Sequence, residues 1–536
     1  MTQPFAWGNP YPTTRSPLFA RNVVATSQPL AAQAGLAMLR QGGNAVDAVV
    51  AAAAAMAIVE PVSNGLGSDN FAIVWDGHAL HGLNSSGPAP AAWTRDYFVH
   101  KHRDAVPDRG WDSVTVPGAV AGWAALSQRF SKLPFADLLQ PAIELAERGY
   151  GVGVVTAASW ARQVPVLQSM PGFREAFMPR GRAPQPGERF QFPAAAATLR
   201  KIAATRGEAF YRGEIAATLA AHSVANGGAM TPADLAGFAP EWVTPIATDF
   251  NGYTVHEIPP SGQGIAALMA LGILRHHDLK ALPVDSVASQ HLQIEAMKLA
   301  FADAYAWVAE PRAMTKVKAA DLLDDGYLAA RAQRIDPKHA QDFAHGTPPR
   351  GGTIYLTAAD ASGMMVSFIQ SNYMGFGSGV VVPGTGVSLQ NRGHCFTLEA
   401  GHPNVVEPGK RPFHTIIPGF VTKDGRPQMS FGVMGGNMQP QGHLQTLVRM
   451  LVHGQQPQAA CDAPRWKVGI GRHIDCERTM SKVLVDGLRA LGHEVAPTDA
   501  SNDFGSGQFI WKLSDDPEDG YAAASDSRRE GQAVGY

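Results

Sequence analysis

Thr353 is the residue whose surroundings in the sequence are best suited to nucleophilic chemistry. It follows Gly351 and Gly352, and the residues after it alternate between apolar and polar types up to Thr357. Glycine adopts backbone conformations closed to other residues, and the alternation predicts a half-buried strand. If the chain is cleaved between Gly352 and Thr353, the threonine gains an α-amine with a pKa of about 8, which can accept the hydroxyl proton. Taken alone, however, these local signals favour an ordinary glycine-rich turn before a hairpin.

A second glycine-rich turn, Gly435-Gly436, is suited to holding the negative charge that such an attack creates. It follows a predicted strand over 429–433 and precedes a predicted helix over 442–452. Successive backbone N–H groups at a turn can bind an oxyanion, and losing one such donor typically costs about 3 kcal/mol of barrier. Because a glycine pair alone is more often structural, the interpretation depends on the rest of the chain.

The order of the glycine-bearing motifs is more specific than any one of them. Gly351-Gly352-Thr353 is followed by Phe376-Gly377-Ser378-Gly379, then by Gly409-Lys410-Arg411-Pro412 and Gly435-Gly436. This series resembles the small subunit of the γ-glutamyltransferases, which are self-cleaving N-terminal-nucleophile hydrolases. Residues 42–48 resemble the opening signature of the same family, and the likeness extends over nearly the whole chain.

The resemblance implies an α+β fold in which two stacked sheets lie between helices, a four-layer αββα sandwich. It also implies a large segment, residues 1–352, and a small segment, residues 353–536, which stay associated after self-cleavage between Gly352 and Thr353. No metal or organic cofactor is expected.

The family mechanism assigns roles to five residues. Thr353 attacks first the carbonyl of Gly352 and later a substrate amide. Ser371 aligns with a hydroxyl residue that bonds the nucleophile in relatives, and Gly435 and Gly436 are expected to hold the oxyanion.

Three positions depart from the γ-glutamyltransferase pattern and put glutamyl specificity in doubt. Ser86 stands where the family has an arginine that grips the substrate α-carboxylate, and serine cannot form a bidentate charged bond. Tyr373 replaces an asparagine, and Cys395 replaces an aspartate that binds the α-ammonium. A cysteine nucleophile is the alternative for Cys395, but no base is identifiable, and a small buried side chain is the better interpretation.

Ser86 and Tyr373 themselves, and other residues near these positions, are candidates for substrate binding. We hypothesise that Arg392 replaces the lost arginine and binds a carboxylate; a structural ion pair is the alternative. Asn372 is a further candidate. His414 and Thr415 occupy the place of paired serines in relatives and can donate hydrogen bonds, while His414 has a proton relay as its alternative role.

The pattern across these positions resembles the subgroup that includes oxamate amidohydrolase. It favours hydrolysis of a small carboxylated amide such as oxamate. Hydrolysis or transfer of γ-glutamyl or glutaryl amides, including glutathione, is the first alternative. An uncleaved, inactive homologue that acts as a binding protein is a distant one.

Several segments are expected to position these residues. Ser27 is predicted to cap a first helix that ends at residues 42–43, and Asn44 a second helix. A glycine-bearing loop over 60–70 leads to a predicted strand over 71–75, and the pattern leaves open whether the loop borders the substrate pocket or is a plain turn. A long helix is predicted over 290–307.

Composition excludes several classes of function. The chain of 536 residues has 44 basic and 46 acidic side chains, so nothing indicates a nucleic acid or a membrane surface as partner. Three cysteines are too few for a disulfide framework, and neither His256-Glu257 nor residues 276–278 have zinc-site spacing. The first residues show no secretion signal, so we expect a cytoplasmic protein. A homodimer or larger oligomer is left open.

Overall fold

Apolar side chains on both faces of the central strands determine how the layers stack. Every residue of the strand Met365–Tyr373 is buried, so both faces of its sheet must be covered. The computed structural model describes residues 15–343 and 352–536. It contains two seven-stranded antiparallel sheets, packed face to face, with helices on both outer surfaces. This arrangement confirms the predicted αββα fold. The predicted loop over 348–351 and the N-terminal residues lie outside the described ranges.

The strands are numbered in chain order. Those before the proposed cleavage point are β1 (Leu18–Ala20), β2 (Val23–Thr26), β3 (Asp69–Trp75), β4 (Leu80–Ser85), β5 (Tyr150–Gly151), β6 (Arg189–Phe190), β7 (Glu241–Val243), β8 (Ile246–Phe250) and β9 (Tyr253–Glu257). Those that follow are β10 (Gly352–Ala359), β11 (Met365–Tyr373), β12 (Val381–Val382), β13 (Val387–Ser388), β14 (Gly419–Lys423), β15 (Arg426–Met434), β16 (Trp466–Val468), β17 (His473–Glu477), β18 (Glu494–Thr498), β19 (Ser506–Lys512), β20 (Tyr521–Ser525) and β21 (Gln532–Gly535).

The first sheet has the strand order β1-β20-β19-β15-β14-β9-β8, and the second has the order β21-β2-β10-β11-β3-β4-β7. Each sheet therefore contains strands from both sides of the proposed cleavage point. The two segments are interleaved in one structure.

The helices are also numbered in chain order. In the large segment they are α1 (Pro29–Arg40), α2 (Ala45–Val59), α3 (Arg95–His100), α4 (Ala119–Phe130), α5 (Phe135–Arg148), α6 (Val154–Leu167), α7 (Phe173–Phe177), α8 (Pro193–Thr205), α9 (Glu208–Tyr211), α10 (Glu214–Ala225), α11 (Pro232–Ala236), α12 (Gly264–Leu274), α13 (Val287–Trp307), α14 (Ala319–Leu322) and α15 (Asp325–Ala332). In the small segment they are α16 (Met438–Leu447), α17 (Pro457–Asp462) and α18 (Lys482–Ala490).

Three apolar clusters hold the four layers together. Helices α1, α2 and α4 pack on the second sheet, with α5 against α2, and α12 and α16 pack on the first, with α13 against α12. Between the sheets, the ring of Tyr355 lies against Gly432, where a Cβ atom would come within 2.4 Å of it. Glycine at this position lets β10 and β15 approach closely, and β10 is the strand that begins with Gly352 and Thr353.

The helix start predicted at Ser27 is wrong by one residue. The residue that caps α1 is Gln28, whose side chain accepts a bond from the N–H of Leu30, while Ser27 donates its hydroxyl proton to Glu60. The prediction for α2 is confirmed, because Asn44 and Asp47 form a reciprocal capping box. All of α2 is buried, and no helix in the described ranges has the length and apolar character to cross a bilayer.

Candidate active site

The candidate site lies where four neighbouring strand ends meet at one edge of the second sheet. Ser371 on β11 pairs with Asp69 at the start of β3, and Ser86 follows the last residue of β4. Between β10 and β11 the register shifts, because Gly352 pairs with Tyr373 while Ile354 pairs with Gln370. The extra residue on β11 forms a bulge beside Thr353, and Tyr373 takes a positive φ of 76° there. Bulges of this kind redirect side chains at functional sites.

The hydroxyl of Thr353 is buried between two polar side chains. Its Oγ1 lies 3.2 Å from Oγ of Ser371, as the resemblance implied, and it accepts a 3.3 Å bond from Nε2 of Gln439. Ser371 is itself held by the N–H of Tyr373, which donates to its Oγ at 2.7 Å. The bulge therefore positions Ser371, which in turn contacts the hydroxyl of Thr353.

The turn Gly435-Gly436 connects β15 to α16, the helix that carries Gln439. The φ angles of 127° and 60° are in the region that favours glycine, so other residues would be strained at both positions. The carbonyl of Gly435 accepts from the N–H of Met438, and that of Gly436 accepts from Nε2 of Gln263 at 2.9 Å. Within the described residues, neither glycine N–H donates to a protein acceptor. Both donors are therefore available to an oxyanion.

Asp69 is the centre of a buried charged group next to Ser371. Its Oδ2 accepts from Nε2 of His414 at 2.6 Å and from Nε of Arg392 at 3.3 Å. Burial by itself raises the pKa of Asp69, but His414 and Arg392 outweigh this and hold the pKa below 3.8. Burial, with Arg392, lowers the pKa of His414 to about 4, so the imidazole is neutral at neutral pH.

The structure limits what His414 can do. Its Nε2 carries the proton donated to Asp69, and its Nδ1 accepts from the N–H of Ile416 at 3.3 Å. With both nitrogens engaged inside the protein, a substrate contact or a proton relay at His414 would first require one of these bonds to break. The predicted roles stay predictions, and the geometry favours a positioning role.

Arg392 is buried, and two of its three guanidinium nitrogens, Nε and Nη1, bind other residues of the protein. Its Nη1 donates to Oγ1 of Thr415 at 2.8 Å, and its guanidinium carbon lies 4.5 Å from the centre of the Tyr373 ring. Its Nη2 has no oxygen or nitrogen acceptor among the described residues, and the thiol of Cys395 is its neighbour. Both interpretations given to Arg392 in the sequence are thus compatible with its place here.

A cavity of about 210 Å³ adjoins this group. Tyr373, Cys395 and Thr415 line it on the side of Arg392, and Asn437, the residue after Gly436, lines it on the side of the glycine turn. None of its lining side chains is a carboxylate. Burial raises the pKa of the Cys395 thiol, which disfavours the thiolate that a cysteine nucleophile would need.

Ser86 and Asn372 differ in whether their side chains have hydrogen-bond partners. The hydroxyl of Ser86 is buried and has no partner in the described part of the chain. Asn372 instead accepts from the hydroxyl of Ser68 at 2.8 Å and donates to that of Ser388 at 3.3 Å. Its side chain fastens the bulged end of β11 to the loop before β3. No residue of that loop lines the cavity, so whether the loop borders the substrate pocket stays a prediction.

Comparisons with known proteins agree with this geometry. The family model described as Gamma-glutamyltranspeptidase matches residues 31–536. The chain belongs to the γ-glutamyltranspeptidase family. It is 45% identical to the cephalosporin acylase from Bacillus halodurans, whose crystal structure matches with a TM-score of 0.94 over 100% of this chain and 99% of that one.

Two curated relatives of the same family are similar over nearly their full length. The oxamate amidohydrolase proenzyme of Klebsiella pneumoniae is 37% identical over 95% of this chain and 97% of its own. The glutathione hydrolase-like YwrD proenzyme of Bacillus subtilis is 36% identical over 97% and 99%. The chain is therefore an enzyme of the γ-glutamyltranspeptidase family, a family of self-processing transpeptidases, acylases and amidohydrolases.

The sequence did not identify three residues of the candidate site as functional. Asp69, Gln263 and Gln439 stand next to glycine-rich turns, but no periodicity or spacing marks an amide or a lone carboxylate as functional. Position relative to a motif was the available signal, since Gln439 lies three residues after Gly436. Gln263 was quoted only as part of a turn, yet it bridges the carbonyls of Thr415 and Gly436.

One group among the described residues has the chemistry of a metal site, and it lies on elements that carry none of these residues. His291, Glu295 and His493 bring three ligand atoms within 4.8 Å of one another. Nζ of Lys298 donates to Oε1 of Glu295 at 2.8 Å, and Nε2 of His493 lies 2.8 Å from Nδ1 of His291. These mutual bonds account for the group as a buried polar network that ties α13 to residues 336–341.

Proposed function

We propose that the chain cleaves itself between Gly352 and Thr353 and then hydrolyses the amide bond of a small carboxylated substrate, of which oxamate is an example. The observation that carries this proposal is the placement of the Thr353 hydroxyl between Ser371 and Gln439 at the end of β10. A hydroxyl positioned there acts in both reactions.

In self-cleavage, Oγ1 of Thr353 forms a bond to the carbonyl carbon of Gly352, and the C–N bond between the two residues breaks. The hydroxyl proton passes to the departing nitrogen, and an ester links the two segments. Water then cleaves the ester, which leaves Gly352 with a carboxylate and Thr353 with a free hydroxyl and a free α-amine.

In substrate hydrolysis, the α-amine accepts the hydroxyl proton while Oγ1 attacks the substrate carbonyl. The N–H groups of Gly435 and Gly436 stabilise the tetrahedral oxyanion. The proton then passes to the leaving amine or ammonia, and water releases the acyl group from Thr353. None of these steps uses a metal or organic cofactor.

Four observations favour a small carboxylated substrate. The cavity of about 210 Å³ is below the roughly 300–1,000 Å³ of typical ligand pockets, so it suits a short acyl group. Nη2 of Arg392, which has no oxygen or nitrogen acceptor among the described residues, offers a charged donor for a carboxylate. Finally, the cavity walls hold no carboxylate for the α-ammonium of a glutamyl group, and one full-length relative is named for oxamate.

Glutamyl or glutaryl amides are the second candidate, and one atom favours the glutamyl group. Oδ1 of Asp69 is buried and has no partner among the described residues. It is the one carboxylate oxygen next to Arg392 that remains for an ammonium group. The relative named as glutathione hydrolase-like agrees with this candidate.

Two measurements test the proposal. The wild-type chain is expected to give two bands on a denaturing gel, with the smaller one beginning at Thr353, whereas Thr353→Ala gives one band and no hydrolysis. A Thr353→Ala protein that still splits at this bond would falsify the mechanism. Oxamate and a γ-glutamyl anilide are then compared, and equal or faster turnover of the anilide would reverse the order of the two substrates.

A further inference from the structure

We propose that Gln439 is a further catalytic residue, whose side-chain N–H binds Oγ1 of Thr353 and stabilises the charge that this oxygen carries during bond formation and bond breaking. This inference rests on the proposed role of Thr353 as the nucleophile. The contact itself is direct, since Nε2 of Gln439 lies 3.3 Å from Oγ1.

The orientation of the Gln439 amide follows from its second contact. Its Oε1 accepts a 2.9 Å bond from the backbone N–H of Ile417, which can only donate. Nε2 must therefore face Thr353, and Oγ1 must be the acceptor. The side chain is fully buried, so water does not compete for this bond.

The backbone of Gln439 ties the same residue to the oxyanion turn. It is the second residue of α16, and its N–H donates to the carbonyl of Gly436 at 3.2 Å. Gly436 is also held by Gln263 from the large segment. One short stretch, residues 435–439, thus supplies donors both for the carbonyl oxygen under attack and for the attacking oxygen.

The strength of the Gln439 bond changes along the reaction. When Oγ1 gives up its proton, the bond becomes charge-assisted, and such bonds are about twice as strong as neutral ones. In the ester, Oγ1 is a poorer acceptor, and when the ester breaks, the departing oxygen regains the charge. Because the bond is strongest in the transition states, it raises kcat rather than lowering KM.

The helix offers a matched control for the structural part of the Gln439 interaction. Gln441, two residues further along α16, is equally buried, and its Oε1 accepts from the backbone N–H of Val468 at 2.7 Å. Its Nε2 donates to the carbonyl of Asn437 at 2.9 Å instead of to Thr353. Both glutamines anchor the helix to another element, but only Gln439 reaches the nucleophile.

The experiment compares Gln439→Glu with Gln441→Glu, and Gln439→Met with Gln441→Met. Glutamate keeps the acceptor for the anchoring N–H and loses the donor, while methionine keeps the shape and loses both. Pulse labelling followed by gel analysis gives the half-time of self-cleavage, which requires no added substrate. The purified two-chain proteins then give kcat and KM with oxamate, and urea unfolding measures stability.

Both Gln439 variants are expected to lengthen the half-time of self-cleavage by roughly 10- to 100-fold, the size expected for one hydrogen bond to a charged group. The kcat should fall by a similar factor while KM changes less than about threefold. The Gln441 variants should match them in stability loss and stay within about threefold of wild type in both rates.

Two results would overturn the inference. One is wild-type cleavage and kcat in Gln439→Glu; the other is equal slowing in the Gln439 and Gln441 variants, which would assign the effect to helix stability. Failure of the underlying function is seen separately, because a wild-type chain that never cleaves removes the nucleophile itself, before any variant is compared.

Discussion

Two buried aspartates, one at the candidate site and one far from it in the sequence, are built from the same parts. Asp526 accepts bonds at both oxygens: Oδ2 from Arg465 and from the N–H of Gly507, and Oδ1 from the backbone and side chain of Arg528. Asp69 also has two basic neighbours, but both bind Oδ2, and Oδ1 has no partner in the described residues.

The difference separates a structural ion pair from a site. A buried charge is tolerated when every lone pair is satisfied, and Asp526 meets this condition. Around Asp69, buried polar atoms of Asp69, Arg392 and Ser86 have no partner in the part of the chain that the structure describes, and all three residues lie next to the cavity or the strand ends. Such atoms cost stability unless a ligand or water binds them. Unpaired atoms also occur near Asp526, on Arg465 and Ser525, so the feature that distinguishes the candidate site is the unpaired carboxylate oxygen of Asp69 itself.

The largest effect is expected when the carboxylate of Asp526, which is hydrogen-bonded at both oxygens, is removed. Asp526→Asn removes the negative charge that Arg465 and Arg528 share, while Arg528 keeps its bond to Glu477. Breaking a buried pair costs about 3–5 kcal/mol, and we expect a loss of this size in the free energy of unfolding, measured by urea denaturation. The kcat of the folded fraction should stay near that of wild type. A loss below about 1 kcal/mol would show that Asp526 is not a structural centre.

A smaller effect, on substrate binding instead of stability, is expected in the group around Asp69, where Oδ1 has no partner among the described residues. Arg392→Lys keeps a positive charge beside Asp69 but removes the planar fork that includes Nη2. The kcat/KM for oxamate should fall by about 10- to 100-fold, mainly through KM, because a hydrogen bond to a charged group contributes about 1.5–3 kcal/mol.

Arg465→Lys is the matched control for that change, since it makes the same substitution beside Asp526. It should reduce stability and leave KM unaltered. If both variants alter KM alike, or neither does, Arg392 does not bind the substrate carboxylate, and its role is that of a structural ion pair.

The smallest effect concerns a third buried carboxylate, whose hydrogen bonds come from hydroxyl groups. Glu60 accepts from Ser27 and Ser63, and burial raises its pKa from 4.5 to about 6. The folded protein therefore binds more protons than the unfolded chain between pH 4.5 and 6. Stability should fall by about 2 kcal/mol as pH rises through this window.

Glu60→Gln should remove this part of the pH dependence, because an amide does not titrate. Urea unfolding of wild type and variant at pH 4.5 and pH 7 measures it. An unchanged difference between the two pH values would mean that the raised pKa of Glu60 does not contribute, and that hydroxyl partners suffice to keep the carboxylate charged.

The sequence allowed the layers to be predicted and Thr353 to be named as the candidate nucleophile, but it did not reveal the side chains around Thr353. Alternation in β10 and the capping box of Asn44 are local signals, and the motif order gave the αββα class. The partners of Arg392 were not predictable, because Asp69 is 323 residues away and Arg392 lies on a short helical turn that only the tertiary fold brings beside it. The same is true of Gln263 and Gln439, whose amides act through long-range contacts that composition does not record.

The interleaving of strands has a consequence for a chain cut before Thr353. The severed pieces would still share ladders between β1 and β20, β2 and β10, β2 and β21, β3 and β11, and β9 and β14. Dilution would not separate them, since parting requires both sheets to be dismantled. Two differently labelled copies would not exchange their large and small segments. The two polypeptides, although no longer joined by a covalent bond, would unfold in a single cooperative transition.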